Sequence, residues 1–167
     1  MDTFDLIKTR RSIRKFTDKP VPEEVIDRII ESGIWAPSGL NNQPWKFAVI
    51  QDRELKKEVS ALTHYAKIVT GADVLIAVFL DNALSYDRTK DCQAVGACIE
   101  NMLLYIHSIG LGAVWLGEIL KNKDRLLTLV SGSTDLELMA VIALGYPAET
   151  GGNVTRKGPD HTVIFRK

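Results

Sequence analysis

The longest helical pattern in this chain of 167 residues covers residues 87–109 and is apolar around most of its circumference. Small residues near its start, Ala94, Gly96 and Ala97, give way to large apolar side chains as far as Ile106. A helix that is apolar on nearly all sides belongs in the centre of a fold or at a subunit interface. The other elements therefore have to pack around this segment.

Four apolar runs predict strands, and in the one predicted over residues 72–80 the residues from 74 to 80 are all apolar, as expected of a strand covered on both faces. Strands and helical patterns mix along the chain, which indicates an α+β class with helices around a central sheet. The predicted strands are Lys46–Gln51, Ala72–Leu80, Ala113–Leu116 and Leu138–Leu144. The other predicted helices are Thr3–Lys8, one with Pro22 first and Gly33 as C-cap, one from the Asp52 cap to about Val69, and Asn122–Val130.

Size and charge restrict the class of protein. A chain of 167 residues can bury one good core, so we expect a single domain over 1–167, with residues 148–167 as an extended tail. Lysine plus arginine equals aspartate plus glutamate at 21 each, which argues against nucleic acid or an anionic membrane as partner. The apolar runs are too short to span a bilayer and no signal peptide is recognised, so we expect a cytoplasmic protein.

Neither cysteines nor histidines form a recognisable site. Cys92 and Cys98 do not make a Cys-x-x-Cys pair, and we expect both to be buried thiols. His64, His107 and His161 are too scattered for metal ligation, so no metal is predicted.

Positive charge is concentrated locally at Arg10, Arg11, Ser12 and Arg14. Guanidinium groups bind phosphate oxygens in pairs, and a serine hydroxyl adds a hydrogen bond. Taken alone, the same residues are also typical of a solvated basic turn.

A second motif, Ala-Pro-Ser-Gly-Leu-Asn-Asn-Gln-Pro-Trp at residues 36–45, follows about 25 residues later. In this order the two motifs resemble those of the nitroreductase family, and the resemblance continues through residues 110–117 and 143–147. It implies a homodimer with a mostly antiparallel sheet and FMN at the subunit interface.

The resemblance assigns a role to each basic-motif residue. Arg10 and Ser12, with Arg11 close behind, are expected at the FMN phosphate. Arg14 is expected at the ribityl chain or the pyrimidine edge of the ring, where a cation would favour the reduced state. A surface salt bridge is the alternative for Arg14.

The second motif is implied to face the flavin of the partner subunit. Pro37, Ser38 and Gly39 match the segment that lies against the ring, and Asn41 and Gln43 offer amide groups to the ring edge or the ribityl hydroxyls. Turn chemistry is the alternative for these two amides. Trp45 is expected to be a core anchor.

Two further segments complete the predicted site. Leu116 and Gly117 match the position where family members turn a backbone N–H toward flavin N5, and glycine permits such an approach. Arg156 and Lys157 match a basic pair that returns to the phosphate, although charges in a polar tail are often solvated.

The implied reaction is hydride transfer from NAD(P)H, a transient donor, through flavin N5 to a small electron-poor acceptor such as a nitroaromatic or quinone, by a ping-pong mechanism. No catalytic triad or carboxylate pair is recognised, in keeping with chemistry carried by a cofactor. The chain is short beside larger family members, which leaves the substrate and the choice of NADH or NADPH open. Reductive dehalogenation, flavin breakdown, and a non-enzymatic anion-binding module are the alternatives.

Overall fold

A computed structural model describes residues 2–167 and contains one antiparallel sheet of four strands with helices on both faces. The strand order is β1-β2-β4-β3, so β1 and β3 form the two edges. The strands are β1 (Trp45–Ile50), β2 (Val74–Asp81), β3 (Gly112–Leu116) and β4 (Leu136–Gly145). The helices are α1 (Thr3–Thr9), α2 (Glu23–Ile34), α3 (Arg53–Ser60), α4 (Ala66–Gly71), α5 (Arg88–Ser108), α6 (Lys123–Val130) and α7 (Pro159–Thr162). The α+β prediction with an antiparallel sheet is confirmed.

Strand β2 lies at the centre of the fold, and all eight of its residues are buried. Because side chains alternate along a strand, its two faces feed two cores. Ile76 and Leu80 pack with α2 and α5, whereas Leu75 and Phe79 pack with α3, α4 and α6. Trp45 is 5% exposed and belongs to the first core, as predicted.

Helices α2 and α5 pack closely through Gly33. A Cβ atom at Gly33 would lie 2.8 Å from Met102 Cγ and 3.0 Å from Cys98 Sγ, so only glycine fits. The prediction of Gly33 as a C-cap was wrong, because the helix continues to Ile34. Pro22 is likewise the N-cap and precedes the first helical residue.

The helix predicted from Asp52 to about Val69 is two helices, α3 and α4. Asp52 caps α3 as expected, with its carboxylate accepting the Leu55 N–H at 2.7 Å. The chain then turns because Thr63 and His64 donate to Glu118, a residue from a distant segment. The break is therefore caused by a tertiary contact.

The two cysteines differ in their environment. Cys98 is fully buried, and burial raises the pKa of its thiol to about 12, which makes it unreactive. Cys92 is only partly buried and lies 3.4 Å from Arg88 Nη1, so the prediction of a buried thiol was wrong there.

The chain after Pro147 contains one short helix, α7, and is otherwise without helix or strand. Its first residues are tied to the start of the chain, since Ala148 N–H donates to Lys15 O at 2.9 Å. Farther on, Ile164 and Phe165 are fully and largely exposed. Within residues 2–167 no helix combines the length and hydropathy needed to cross a membrane.

Candidate functional site

The basic motif lies in an extended segment beside strand β3. Ser12 forms a parallel bridge to Ala113, and the Ile13 N–H donates to Ala113 O at 2.9 Å. This approach needs a glycine at position 112, where a Cβ would lie 2.8 Å from Ile13 Cβ. The bridge buries Ile13 and leaves Arg10, Arg11, Ser12 and Arg14 beside a common cleft.

That cleft, which we call the basic cleft, has a volume of about 180 Å³. The tail supplies its other wall, so residues some 140 positions apart meet at one point. Its lining residues are Arg10, Arg11, Ser12, Arg14, Gly152, Val154 and Arg156. Arg156 thus lies beside the N-terminal cations, whereas the neighbouring Lys157 is exposed and does not line the cleft.

Arg10 has the most unusual environment of these side chains. Its Nε lies 3.4 Å from Glu100 Oε1, an ion-pair distance, but has no hydrogen bond although the atom is buried. The charge of Arg10 is therefore paired with the Glu100 carboxylate, at a distance that is long for a hydrogen bond.

Arg11 and Arg14 are held by the surrounding backbone. Arg11 Nη1 donates to Lys8 O at 2.6 Å and to Arg10 O at 2.8 Å, and a Cβ at Gly151 would overlap the Arg11 side chain. The Arg14 N–H donates to Glu149 Oε1 at 2.8 Å, which connects the motif to the tail. The alternative role for the Arg14 side chain was a surface salt bridge. Among the described residues, no acidic side chain forms an ion pair with it.

His107 lies beside the basic cleft, where burial and nearby arginines affect its pKa. Its Nε2 lies 3.0 Å from Thr9 Oγ1. Burial lowers its pKa, and Arg10 and Arg11 lower it further. Only the contribution of the two arginines reflects a local positive potential, which favours an anion.

The second motif forms a tight loop, residues 38–43, with a strained backbone. Leu40, Asn41 and Gln43 have φ angles of 54°, 55° and 49°, and no other non-glycine residue in the described chain has a positive φ. Each such residue costs on the order of 1–3 kcal/mol, somewhat less for asparagine. The side chains of all three are exposed, so the strain serves to present them outward.

The loop is anchored to the start of α5 by Asn42. Asn42 Nδ2 donates to Leu84 O at 3.1 Å and to Asp91 Oδ1 at 2.8 Å. Gly39 packs directly on Tyr86, since a Cβ there would overlap the tyrosine oxygen. Pro37, Ser38 and the predicted amides therefore occupy one rigid surface at this end of the molecule.

The basic cleft and the loop lie apart within one chain. Arg10 contacts Glu100 of α5, whereas Asn42 contacts Asp91 of the same helix. Nine positions along an α-helix correspond to about 14 Å and a rotation of about 180°. The two predicted parts of the flavin site thus contact opposite faces of α5, about 14 Å apart along the helix axis within one chain.

Leu116 and Gly117 end strand β3 at its far end from the bridge to Ser12. Leu116 lies three positions after Ala113 along the strand, which corresponds to a rise of about 10 Å. Leu116 is buried, while Gly117 has open space where a Cβ would be. The backbone at Gly117 is therefore exposed and unobstructed.

The next residue, Glu118, fixes this backbone from the other side. Its Oε2 accepts from Thr63 Oγ1 at 2.6 Å and from His64 N–H at 3.2 Å, and Lys121 pairs with the same carboxylate. Hydrogen bonds from Lys121 and Thr63 lower the pKa of Glu118 to about 2, so it is ionised at neutral pH.

Comparisons with known proteins agree with this geometry. The model of the nitroreductase family matches residues 7–65 and 60–146. A relative from Methanothermobacter thermautotrophicus, provisionally named NADH dehydrogenase/NAD(P)H nitroreductase, is 39% identical over 163 residues, which cover 96% of this chain and 85% of the relative. The chain belongs to the nitroreductase family.

A solved structure extends the family match to three dimensions. A provisionally named nitroreductase from Desulfovibrio desulfuricans, in complex with FMN, superposes with a TM-score of 0.95 at 43% identity, covering 100% of this chain and 98% of that one. The expected family, fold and oxidoreductase class are therefore confirmed.

Another relative belongs to a different branch of nitroreductase chemistry. An iodotyrosine deiodinase from Thermotoga neapolitana is 26% identical over 189 residues, covering 98% of this chain and 96% of the relative. Family membership alone therefore leaves the acceptor undecided.

The nitroreductase fold also shows residues that the sequence did not single out. Glu149, Val154, His107 and Asp91 take part in the cleft or support the loop, yet none stands in a recognisable motif. Asp91 had one visible signal, because an acidic residue inside an apolar helical pattern needs partners when buried.

Proposed function

We propose that this nitroreductase family member is an FMN-dependent oxidoreductase that uses NAD(P)H to reduce a small electron-poor acceptor of nitroaromatic or quinone type, in a ping-pong cycle. The observation that carries the proposal is the basic cleft, which Ser12 and four arginines, among them Arg10 and Arg156, line together. The FMN complex of the Desulfovibrio relative supports the choice of cofactor.

The residues of the cleft fit a phosphate group. Its lining contains four arginines and one serine hydroxyl, and the cleft is small, at about 180 Å³. A phosphate carries close to two negative charges at neutral pH and accepts several charge-assisted hydrogen bonds. Arg10 and Ser12 are proposed to hold it, with Arg11 behind them and Arg156 closing the cleft from the tail.

FMN, when bound, supplies hydride transfer at N5, and the protein supplies position and charge. Arg14 adds a positive charge beyond the phosphate. A positive charge stabilises a neighbouring group when that group gains negative charge, and so raises the reduction potential of that group. Leu116 and the open Gly117 are proposed to face N5 with their backbone, with Gly117 leaving space for close approach.

The separation of cleft and loop supports a homodimer. Because the two regions lie on opposite faces of α5, a flavin held by the cleft of one copy would meet Pro37, Ser38, Gly39, Asn41 and Gln43 only from a second copy. Exposed apolar side chains, among them Trp35 at 79% and Leu40 at 86%, give that second copy a surface to cover. Light scattering on the FMN-loaded protein should give twice the 18.6 kDa chain mass.

The test of function is a visible absorption spectrum of purified protein reconstituted with FMN, followed by NADH or NADPH without oxygen. Flavin bands that shift on binding and bleach with one nucleotide are the expected result, and a panel of quinones and nitroaromatics should then restore the bands. A protein that never retains FMN would overturn the proposal.

Reductive dehalogenation is the second candidate, because a deiodinase is similar over nearly the whole chain. The same FMN-loaded protein, reduced and then mixed with an iodinated phenol, decides between the two. Iodide release faster than nitroaromatic reduction would favour the dehalogenase.

We also propose that the protein works in the cytoplasm. Cys92 and Cys98 are both free, as is usual for proteins of a reducing compartment. Cell fractionation with an antibody against the chain tests this location.

A further inference from the structure

The most deeply buried charge in the described chain that the proposed chemistry does not use is Asp91, in the first turn of α5. Its side chain is 0% exposed, and the salt bridges found within residues 2–167 do not include it. An isolated buried carboxylate is costly unless hydrogen bonds compensate it. The burial of Asp91 must therefore be explained by the hydrogen bonds that its carboxylate accepts.

Four donors from two separate segments converge on this carboxylate. Asn42 Nδ2 donates to Oδ1 at 2.8 Å. Oδ2 accepts from Ser85 Oγ at 2.7 Å, Tyr86 N–H at 3.0 Å and Asp87 N–H at 3.2 Å. Burial alone would raise the pKa of Asp91, but these hydrogen bonds outweigh burial and lower it, so the group is a carboxylate at neutral pH.

Asn42 is half-buried and is held in place through its side-chain amide. Its Oδ1 is buried without a hydrogen bond, so its orientation depends on the two bonds that Nδ2 donates, to Leu84 O and Asp91. Asn42 lies between Asn41 and Gln43, both of which have positive φ angles. It is therefore the point at which the strained loop is attached to the rest of the fold.

Tyr86 ties the same carboxylate to the loop a second time. The Tyr86 N–H donates to Asp91, and the hydroxyl oxygen of the Tyr86 side chain occupies the space over Gly39. Asp91 thus fixes both a residue inside the strained loop and the side chain that packs on the first residue of its turn.

We propose that Asp91 is a positioning residue, which holds residues 38–43 in the strained conformation that presents Ser38, Asn41 and Gln43 to the flavin of the partner subunit. The inference rests on the proposed function for the flavin, but the effect on the loop stands without it. Asp91 touches neither cofactor nor substrate and acts through Asn42 and Tyr86.

The first measurement is hydrogen exchange on the cofactor-free protein. The reporters are the N–H groups of Asn41, Asn42 and Gln43, which bond to Ser38 O, Gly39 O and Ser38 Oγ. In Asp91→Asn these amides should exchange at least tenfold faster than in wild type, while those of β2 and β4 change less than twofold. Asp73→Asn is the matched control, because Asp73 accepts one backbone N–H, from Val21, at the opposite end of β2.

The second measurement is FMN affinity for a set of related variants. Asp91→Asn should weaken binding at least tenfold, and Asn42→Asp more, since it places two carboxylates in contact. The double variant Asn42→Asp with Asp91→Asn re-creates a donor and an acceptor in reversed order and should recover part of the affinity. Recovery will be incomplete, because the carboxylate introduced at position 42 faces Leu84 O without a proton to donate.

The outcomes separate this inference from the proposed function. Wild-type protein that binds no FMN overturns the proposed function and with it the flavin role of Asp91. Wild-type binding that Asp91→Asn leaves unchanged, or loop amides that stay protected in that variant, overturns the positioning role alone. A double variant no better than Asp91→Asn also overturns it, because a generally structural role would show no dependence on the pairing.

Discussion

The basic cleft and the loop of residues 38–43 prepare for a ligand in opposite ways. The cleft has an ordinary backbone with no positive φ at residues 10–14, and its distinctive feature is a concentration of positive charge. The loop has three strained residues, and its anchor at Asp91 is fully hydrogen-bonded. Affinity should therefore come mainly from charge in the cleft and from preorganised shape in the loop.

The largest expected effect tests the charge of the cleft. Replacing Arg10 and Ser12 together by alanine removes two of the proposed polar contacts to phosphate, at roughly 1.5–3 kcal/mol for one involving a charged group and about 1 kcal/mol for a hydroxyl. FMN affinity measured by fluorescence quenching should fall on the order of 100-fold or more.

The control for this pair is Arg125→Ala with Ser131→Ala, which removes the same residue types from exposed positions at α6. The control should bind FMN like wild type. Equal binding by both double variants would remove the basis for assigning charge to the cleft.

A smaller effect is expected from the tail. Arg156 is exposed and its Nη1 donates only to Thr155 O, so its contribution to phosphate binding is screened by solvent. Arg156→Ala should weaken FMN binding about 3- to 10-fold at low salt and reduce the salt dependence of the affinity. Lys157→Ala is the matched control; an equal loss in that variant would mean that general positive charge, and not the cleft, attracts the cofactor.

The strain in the loop can be tested without any ligand. Leu40 is 86% exposed at φ 54°, so Leu40→Gly removes little buried surface and relieves a left-handed conformation. Urea unfolding should show a gain of about 0.5–1 kcal/mol in the free energy of unfolding. Leu84→Gly, at an exposed position without positive φ, should instead lose stability, and a loss in both variants would argue against strain at Leu40.

The smallest expected effect is on the pH dependence of stability, which should differ between the two regions. The pKa of His107, beside the cleft, is lowered from 6.5, so protonation favours the unfolded chain and stability declines as the pH falls below about 6.5. The pKa of Asp91, at the loop, is lowered from 3.8, so its stabilisation is complete above that pH and is lost as the pH falls through and below it.

Denaturant titrations across pH measure this separation. His107→Gln should flatten the slope between about pH 7 and 5.5, where an ordinary histidine titrates, and Asp91→Asn should flatten it only below about pH 4.5. Identical profiles for the two variants would show that neither group titrates as its surroundings imply.

Much of the fold followed from local patterns. The four strands and α5 were predicted within two residues at each end, because alternating or continuous apolar side chains reflect burial directly. The helix predicted from Asp52 was wrong at its middle, where residues 61–65 have no helix-breaking glycine or proline but hydrogen-bond to the distant residues Glu118 and Asn122. The cysteine environments differ for a similar reason, as Cys92 lies on the partly exposed side of α5.

For the candidate site, the sequence alone determined the chemical groups and their order along the chain: a cluster of arginines near the start, a proline- and amide-rich loop after it, and a glycine at the end of a buried strand. Those features are local, and the chemistry of phosphate or flavin recognition can be inferred from them. Only the tertiary structure decided that Arg156 meets Arg10 in one cleft, that the loop lies on the other face of α5, and that Asp91 holds it. Each depends on contacts between residues about 50 to 150 positions apart, and such contacts arise when packing of the whole core brings distant segments together.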